Sequence, residues 1–219
     1  MNDKIAVLAS GGLDSAVMLW HLTRSFQEVH PIYVRCGLYW EEMELRFLKR
    51  FLDAVGEGRI RSLQVLVAPM EDIYSHRWYQ DGQGIPDYHK SDEQWEIPGR
   101  NIILLGKTAV WCKFHSAGAI ALGSLESNPF PDASAEFLSL MQQALARGLS
   151  HPLTLLQPLA GMHKPDVIRL GQALPLELTL TCARPVDEKH CGSCGKCRER
   201  IEGFREAGLC DPTAYRTSG

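Results

Sequence analysis

Near the start of the chain, residues 4–15 read KIAVLASGGLDS, an apolar run that passes into two glycines and three polar side chains. The run Lys4–Ala9 predicts a buried first strand, and residues 14–26 have the apolar spacing of a helix. A glycine turn between strand and helix exposes backbone N–H groups that can bind a phosphate. The same residues also suit a plain helix start capped by Ser and Asp, so both interpretations stay open here.

Each residue type in this motif has a chemical use at a phosphate. Gly11 and Gly12 allow close approach of the backbone, and the hydroxyls of Ser10 and Ser15 can donate to phosphate oxygens. A carboxylate repels phosphate, so we expect Asp14 either to cap the helix or to hold a Mg²⁺ that bridges it to the phosphates. The spacing matches neither the dinucleotide fingerprint nor Walker A, which excludes both of those phosphate sites.

Short apolar runs alternate with longer amphipathic segments over most of the chain, which predicts an α/β fold with a mainly parallel sheet. Further strands are predicted at 29–34, 63–68, 117–123 and 153–157, and further helices at 41–55, 101–114, 135–147 and 165–174. Residues 70–99 are rich in aromatic side chains but have no clear period, which is typical of a functional or mobile segment.

Composition narrows the class of protein. The chain has 219 residues, 45% hydrophobic and 22% charged, which excludes disordered, collagenous and membrane-spanning chains. Its net charge of −3 disfavours a broad nucleic-acid surface. No signal-type segment is visible, and the apolar runs fall far below the ~18 residues of a membrane span, so we expect a cytoplasmic protein without a membrane partner.

Four of the seven cysteines, Cys182, Cys191, Cys194 and Cys197, follow the order C-x8-C-x2-C-x2-C. Four thiolates at this spacing satisfy tetrahedral Zn²⁺ with no open position, and we favour zinc. A redox-active dithiol pair and an iron–sulfur cluster remain alternatives, because both also use C-x2-C spacings. A closed zinc site would be structural and would tie a small C-terminal module to the main domain.

The SGGLDS motif resembles the SGGxDS motif of the PP-loop ATP pyrophosphatases, and together with the cysteines it resembles the 7-cyano-7-deazaguanine synthase family. The resemblance continues in collinear order through the segments Ile97–Asn101, Pro158–Gly171, Thr181–Cys197 and Asp211–Tyr215. The segments Arg35–Glu41 and Glu126–Phe137 depart from the family's pattern. Both follow predicted strands, where open parallel sheets bind their ligands, so a related deazapurine or another acid is an alternative substrate.

The resemblance implies a doubly wound, mainly parallel sheet of the adenine nucleotide alpha hydrolase type with a small four-cysteine zinc module. It divides the chain into a PP-loop nucleotide-binding domain at 1–175 and a zinc-binding module at 176–219. The implied reaction converts 7-carboxy-7-deazaguanine and ammonia to 7-cyano-7-deazaguanine through adenylated intermediates. ATP, Mg²⁺ and Zn²⁺ are the implied cofactors, and a homodimer is the implied assembly.

The resemblance also implies roles for individual residues, each with a plain structural alternative. Asp14, Arg100 and Lys164 are the expected catalytic residues, although the two cations would also suit surface ion pairs. The expected nucleotide-binding residues are Leu8, Ser10, Gly11, Gly12, Asp14, Ser15, Gly99 and Asn101. Asp132 is expected to accept hydrogen bonds from a guanine-like edge, or else to be a turn residue. Four aromatic residues could stack on a heterocycle or else pack in the core: Tyr39, Trp40, Trp78 and Tyr79.

Two rival functions follow from the same features. The first is another PP-loop enzyme, either an adenylating ligase for a different acid or base, or a thiolase, which would need a pair of reactive thiols. The second is a non-catalytic zinc-ribbon interaction module built on a degenerate nucleotide fold. The intact motif Ser10–Ser15 argues against the second.

Overall fold

A five-stranded parallel sheet forms the centre of residues 3–56 and 58–216, the part of the chain that the structure, a computed structural model, describes. The strands are β1 (Lys4–Leu8), β2 (Glu28–Arg35), β3 (Gln64–Val67), β4 (Ala119–Ala121) and β5 (Thr154–Leu156). They lie in the order β3-β2-β1-β4-β5, and every pairing is parallel. Each predicted strand is present with slightly different ends, so the predicted α/β class with a parallel sheet is confirmed.

Helices cover both faces of this sheet. They are α1 (Leu13–Leu22), α2 (Glu41–Val55), α3 (Glu71–Tyr74), α4 (Trp78–Asp81), α5 (Arg100–His115), α6 (Ala135–Gly148), α7 (Lys164–Leu170) and α8 (Gly195–Ala207). None of these helices in the described ranges is long and apolar enough to cross a bilayer.

Side chains of β1 alternate between two apolar clusters. Ile5 and Val7 pack in one cluster with residues of α1, α2, α7 and α8, whereas Ala6 faces the other cluster with residues of α5 and α6. All three are fully buried, as expected for a central strand with helices on both sides. The sheet is therefore doubly wound, as predicted.

The strand order reverses at β1. From β1 the chain moves outward to β2 and β3, then returns to the other side of β1 for β4 and β5. Such a reversal separates the loops that follow the two neighbouring strands and opens a crevice at their carboxyl ends. The SGGLDS motif follows β1, and the segment Glu126–Phe137 lies beyond β4, so both border this crevice.

The sequence patterns did not resolve residues 70–99 into elements, and they placed the end of the helix 165–174 too late. Residues 70–99 contain α3, α4 and a 3-10 turn at Asp92–Trp95, with Tyr74, Tyr79 and Trp95 buried in the core. The predicted helix 165–174 begins at Lys164 and ends at Leu170, with Gly171 as its C-cap. Gly171 lies so close to α1 that a Cβ there would meet the Val17 side chain at 2.4 Å.

The C-terminal segment contains a helix, α8, that the sequence analysis did not predict. Gly203 on α8 lies against the stem of Lys164 on α7, where a Cβ would meet the lysine Cγ at 2.5 Å. The division at 175 and 176 stays a prediction, and its outer limits at 1 and 219 lie outside the described residues. The contact makes α7 the part of the main domain against which the C-terminal helix packs.

A buried carboxylic acid joins α2 to the sheet. Glu44 in the first turn of α2 is only 8% exposed, and its Oε2 accepts a hydrogen bond of 2.7 Å from the Tyr33 hydroxyl of β2. Burial raises the pKa of Glu44 to about 7, although the Arg100 guanidinium lowers it. The folded protein therefore holds a proton on Glu44 at a pH where the unfolded chain has lost it.

We expect the free energy of unfolding to fall as pH rises from about 4.5 to about 7, because the folded protein retains the Glu44 proton that the unfolded chain gives up. The Glu44→Gln variant keeps an acceptor for Tyr33 but cannot ionise. The decline in its free energy of unfolding over this pH range should therefore be about 3 kcal/mol smaller than that of the wild type. Urea denaturation at a series of pH values measures the effect. The matched control is Glu42→Gln, because Glu42 lies on the same helix and its side chain is 75% exposed. Equal declines in the two variants would contradict the prediction.

Candidate active site

A cleft of about 320 Å³ opens at the carboxyl ends of β1, β2 and β4, where the strand order reverses. The predicted catalytic, nucleotide-binding and substrate-binding residues that line it are Leu8, Ser10, Gly12, Asp14, Ser15, Arg100, Asn101, Asp132 and Lys164. Gly11 and Gly99 instead shape the backbone beside it, both with positive φ, and Gly99 is the N-cap of α5. The structure thus brings together residues that are up to 156 positions apart in the chain, from Leu8 to Lys164.

The SGGLDS loop is held in place by its own hydrogen bonds. Gly11 has φ +80°, and a Cβ at this position would lie 2.7 Å from the Glu44 carbonyl oxygen, so only glycine fits. The Ser15 hydroxyl accepts from the Ser10 N–H at 3.2 Å and donates to the Gly12 carbonyl at 3.0 Å. Gly12 occupies the N-cap of α1, so the helix start lacks the Ser or Asp cap of the plain alternative. The loop has the form of an anion site.

Asp14 and Lys164 form a close ion pair at the floor of the cleft. The Lys164 Nζ lies 2.7 Å from Oδ1 and 2.6 Å from Oδ2 of Asp14, and the lysine side chain is only 9% exposed. Burial by itself would lower the pKa of Lys164, but the Asp14 and Glu199 carboxylates raise it above its ordinary value. Lys164 is therefore a permanent cation aimed at the motif that is expected to hold phosphates.

Two further charged residues reach the cleft from α8, and sequence reasoning missed their role here. Glu199 Oε1 lies 2.7 Å from the Lys164 Nζ, and its Oε2 lies 3.1 Å from the Lys196 Nζ. Burial would raise the pKa of Glu199, but the two lysines lower it. Neither residue was among the predicted site residues, since α8 itself was not predicted. The i, i+3 spacing of these two residues was the available signal.

Asp132 and Asn101 bind each other across the cleft wall. The backbone N–H of Asn101 donates to Asp132 Oδ2 at 2.9 Å, and the Asn101 side-chain amide donates to Oδ1 at 3.1 Å. Asp132 therefore secures the start of α5, and each of its oxygens keeps one lone pair for another donor. Arg100, the first residue of α5, lines the cleft, and its Nε is buried without a hydrogen-bond partner among the described residues.

Aromatic side chains form one wall of the cleft. Trp40 stacks on Trp78 with ring centroids 5.7 Å apart, and Trp78 meets Trp95 edge-on at 5.1 Å. All three line the cleft, and Trp95 was not among the predicted residues. Tyr39 is half exposed and Tyr79 is buried in the core, so of the four predicted aromatic residues only Trp40 and Trp78 remain candidates for stacking on a heterocycle.

The four predicted cysteine ligands lie together. The Sγ atoms of Cys182, Cys191, Cys194 and Cys197 are all within 4.8 Å of one another, with 3.6 Å between Cys194 and Cys197. Tetrahedral Zn–S bonds of about 2.3 Å require S–S separations of about 3.8 Å, so the cluster fits such an ion. Hydrogen bonding with the Cys182 thiol lowers the pKa of Cys194. The cluster can hold a metal ion.

The remaining buried thiols are poorly suited to catalysis. Burial raises the pKa of Cys36 to about 11, although Arg100 lowers it, and burial raises the pKa of Cys112 to about 12. A thiol with such a pKa is almost fully protonated near neutral pH and is a weak nucleophile. This counts against the thiolase alternative, which needs a reactive pair.

The fold itself is found in a solved structure. A crystal structure of a "predicted subunit of tRNA methyltransferase" from Methanocaldococcus jannaschii superimposes with a TM-score of 0.50 at 14% identity, covering 77% of this chain and 74% of that one. At this identity the likeness concerns the fold alone.

Sequence comparison gives more specific matches than the comparison of folds does. A 7-cyano-7-deazaguanine synthase of Methanothrix thermoacetophila is 33% identical over 226 residues, covering 95% of this chain and 97% of the relative. The same-named protein of Methanopyrus kandleri is also 33% identical, over 230 residues and the same shares of both chains. The family model described as "Queuosine biosynthesis protein QueC" matches residues 4–208. The chain therefore belongs to the QueC family of queuosine biosynthesis proteins.

Proposed function

We propose that the protein is an ATP-dependent 7-cyano-7-deazaguanine synthase, which converts 7-carboxy-7-deazaguanine and ammonia to the nitrile. The observation that carries the proposal is the SGGLDS loop with Asp14 bound to Lys164 at the floor of the cleft. The names of the full-length relatives support the choice of substrate.

The proposed reaction replaces a poor leaving group by a good one. A carboxylate oxygen of the substrate attacks the α-phosphorus of ATP, and the bond to the β-phosphate breaks with release of pyrophosphate. Ammonia then attacks the acyl carbon, loses a proton and displaces AMP, which leaves an amide. The amide oxygen attacks a second ATP in the same way, and loss of AMP with two protons gives the nitrile. The protein contributes position and charge to each step.

We assign these contributions to the residues of the cleft. The loop Ser10–Ser15 holds the pyrophosphate portion of ATP, while Lys164 and Arg100 offset the negative charge that develops on it. Mg²⁺, when bound at Asp14, would screen the phosphates, and a cleft-facing carboxylate suits this ion. Leu8 lies on the adenosine side, and Asp132 offers its remaining lone pairs to a guanine-like edge.

The proposal also covers the predicted domain division, the bound metal, the cellular compartment and the oligomeric state. We assign residues 1–175 to the nucleotide-binding domain and 176–219 to a module held by structural Zn²⁺ on the four cysteines. Zinc offers such a site four strong bonds and no redox chemistry. The enzyme is proposed to act in the cytoplasm as a homodimer.

A related PP-loop ligase acting on another acid is the second candidate function. It is favoured by the segment Arg35–Glu41, which departs from the family's pattern and contributes Trp40 to the cleft wall. The two candidates share the adenylation step and differ only in the acid that is adenylated.

Incubation with ATP, Mg²⁺, ammonium and 7-carboxy-7-deazaguanine should yield 7-cyano-7-deazaguanine, AMP and pyrophosphate. Mass spectrometry of the products checks this outcome. Reactions without ammonium or without the acid are the controls. Formation of AMP without any nitrile would reject the substrate and retain the ligase chemistry.

The Asp14→Asn variant should reduce the rate of pyrophosphate release at least ~100-fold, because it removes the negative charge that pairs with Lys164 and is proposed to bind Mg²⁺. A coupled pyrophosphate assay measures the rate. Asp53→Asn is the matched control, since Asp53 is exposed on α2 and is not among the residues that line the cleft. An unchanged rate in Asp14→Asn would mean that the motif is not the reaction centre.

The purified protein should contain one zinc per chain, and Cys182→Ser should lower both the zinc content and the melting temperature. Elemental analysis and thermal denaturation measure the two quantities. Cys210→Ser is the control, because Cys210 is exposed and outside the cluster. Iron with acid-labile sulfide in place of zinc would favour a cluster instead.

A further inference from the structure

The ammonium of Lys164 is shared between two carboxylates from opposite ends of the chain. Two of its acceptors are the oxygens of Asp14 at 2.7 and 2.6 Å, and the third is Glu199 Oε1 at 2.7 Å. An ammonium has three protons to donate, so these contacts use its full capacity. Asp14 and Glu199 thus hold the same nitrogen atom from two different elements.

The proposed chemistry asks Asp14 to serve two cations. A carboxylate that gives both oxygens to Lys164 has little left for Mg²⁺, so ion binding must loosen the Asp14–Lys164 pair. A nearly buried ammonium that loses one partner needs another, because an unpaired buried charge is costly. Glu199 supplies that second partner before the exchange starts.

Helix α8 is shaped to keep Glu199 in this role. Gly203, one turn beyond Glu199, leaves room for the Lys164 stem, which packs where a Cβ would otherwise lie. Lys196, one turn before Glu199, holds the second carboxylate oxygen at 3.1 Å. The four charges of Asp14, Lys164, Glu199 and Lys196 sum to zero, so the network is balanced before any ligand enters.

We propose that Glu199 is a positioning residue that retains Lys164 in the cleft while Asp14 exchanges the lysine for Mg²⁺. The inference rests on the proposed function and adds a residue from the C-terminal segment to its machinery. Glu199 acts through Lys164, because its two carboxylate oxygens are taken up by Lys164 and Lys196. Without it, Asp14 would be the remaining acidic partner of Lys164, and Mg²⁺ would have to compete against that pair.

The test is the Mg²⁺ dependence of nucleotide binding, measured by calorimetry with the α,β-methylene analogue of ATP, which cannot be cleaved at the reacting bond. In Glu199→Gln the Mg²⁺ concentration that gives half-maximal binding should rise about tenfold, the size of one charge-assisted hydrogen bond. Glu206→Gln on the same helix is the control, because Glu206 is exposed, and it should match the wild type. Saturating Mg²⁺ should restore the kcat of pyrophosphate release in Glu199→Gln to within about threefold.

A merely structural role for Glu199 would lower the melting temperature and leave the Mg²⁺ midpoint unchanged, and that result would overturn the inference. If Glu199→Gln does not fold, Glu199→Asp keeps the charge but shortens the side chain, and we then expect a shift of about threefold against Glu206→Asp. An unshifted midpoint in that variant would equally overturn the inference.

If the wild type binds the analogue without any need for Mg²⁺, the proposed role of Asp14 fails as well. Normal Mg²⁺ dependence without nitrile formation would reject only the substrate.

Discussion

The ion pair between Asp14 and Lys164 is the contact on which the arrangement of the cleft depends. It joins the first turn after β1 to the start of α7, 150 residues later, with two hydrogen bonds to a nearly buried nitrogen. Burying a charge is unfavourable unless it is paired. Because Lys164 is nearly excluded from water, the two elements must stay close enough for the pair to form. Glu199 extends the same constraint to α8. One nitrogen atom thus sets the relative positions of three segments that form the floor of the cleft.

Much of the sheet and of the glycine loop could be predicted because local patterns determine them. A buried parallel strand needs a continuous apolar run. The run Lys4–Ala9, followed by Gly11 and Gly12, fits a strand that ends in a glycine turn better than it fits any other element. The four cysteines lie together as predicted, and the short C-x2-C-x2-C spacing of three of them brings their sulfur atoms close to one another. The sequence alone, however, could not exclude an iron–sulfur cluster or a dithiol.

The features that escaped prediction depend on contacts between distant segments. Glu199 was missed because α8 is mostly charged and lacks an apolar stripe, so its helical spacing gave little signal. Glu44 lies in the predicted helix 41–55, but its burial depends on its position beside Tyr33 of β2, which the helical pattern does not reveal. In residues 70–99 the aromatic side chains pack into the core singly from short turns, which leaves no period to detect. Asp132 was expected at the substrate, and its bonds to Asn101 emerged only from the folded loop.

Helix α8 carries residues of both the cysteine cluster and the cleft, so the number of residues that separates them along the chain is fixed. Cys194 is the N-cap of α8, Cys197 lies in its first turn, and Glu199 follows two residues later. Each residue of an α-helix turns the next by about 100°, so one residue inserted between Cys197 and Glu199 would swing the carboxylate to a different side of the helix. We therefore expect the interval from the last cysteine to Glu199 to tolerate no change in length, although no cysteine is among the hydrogen-bonding or ion-pair partners that the structure describes for Lys164.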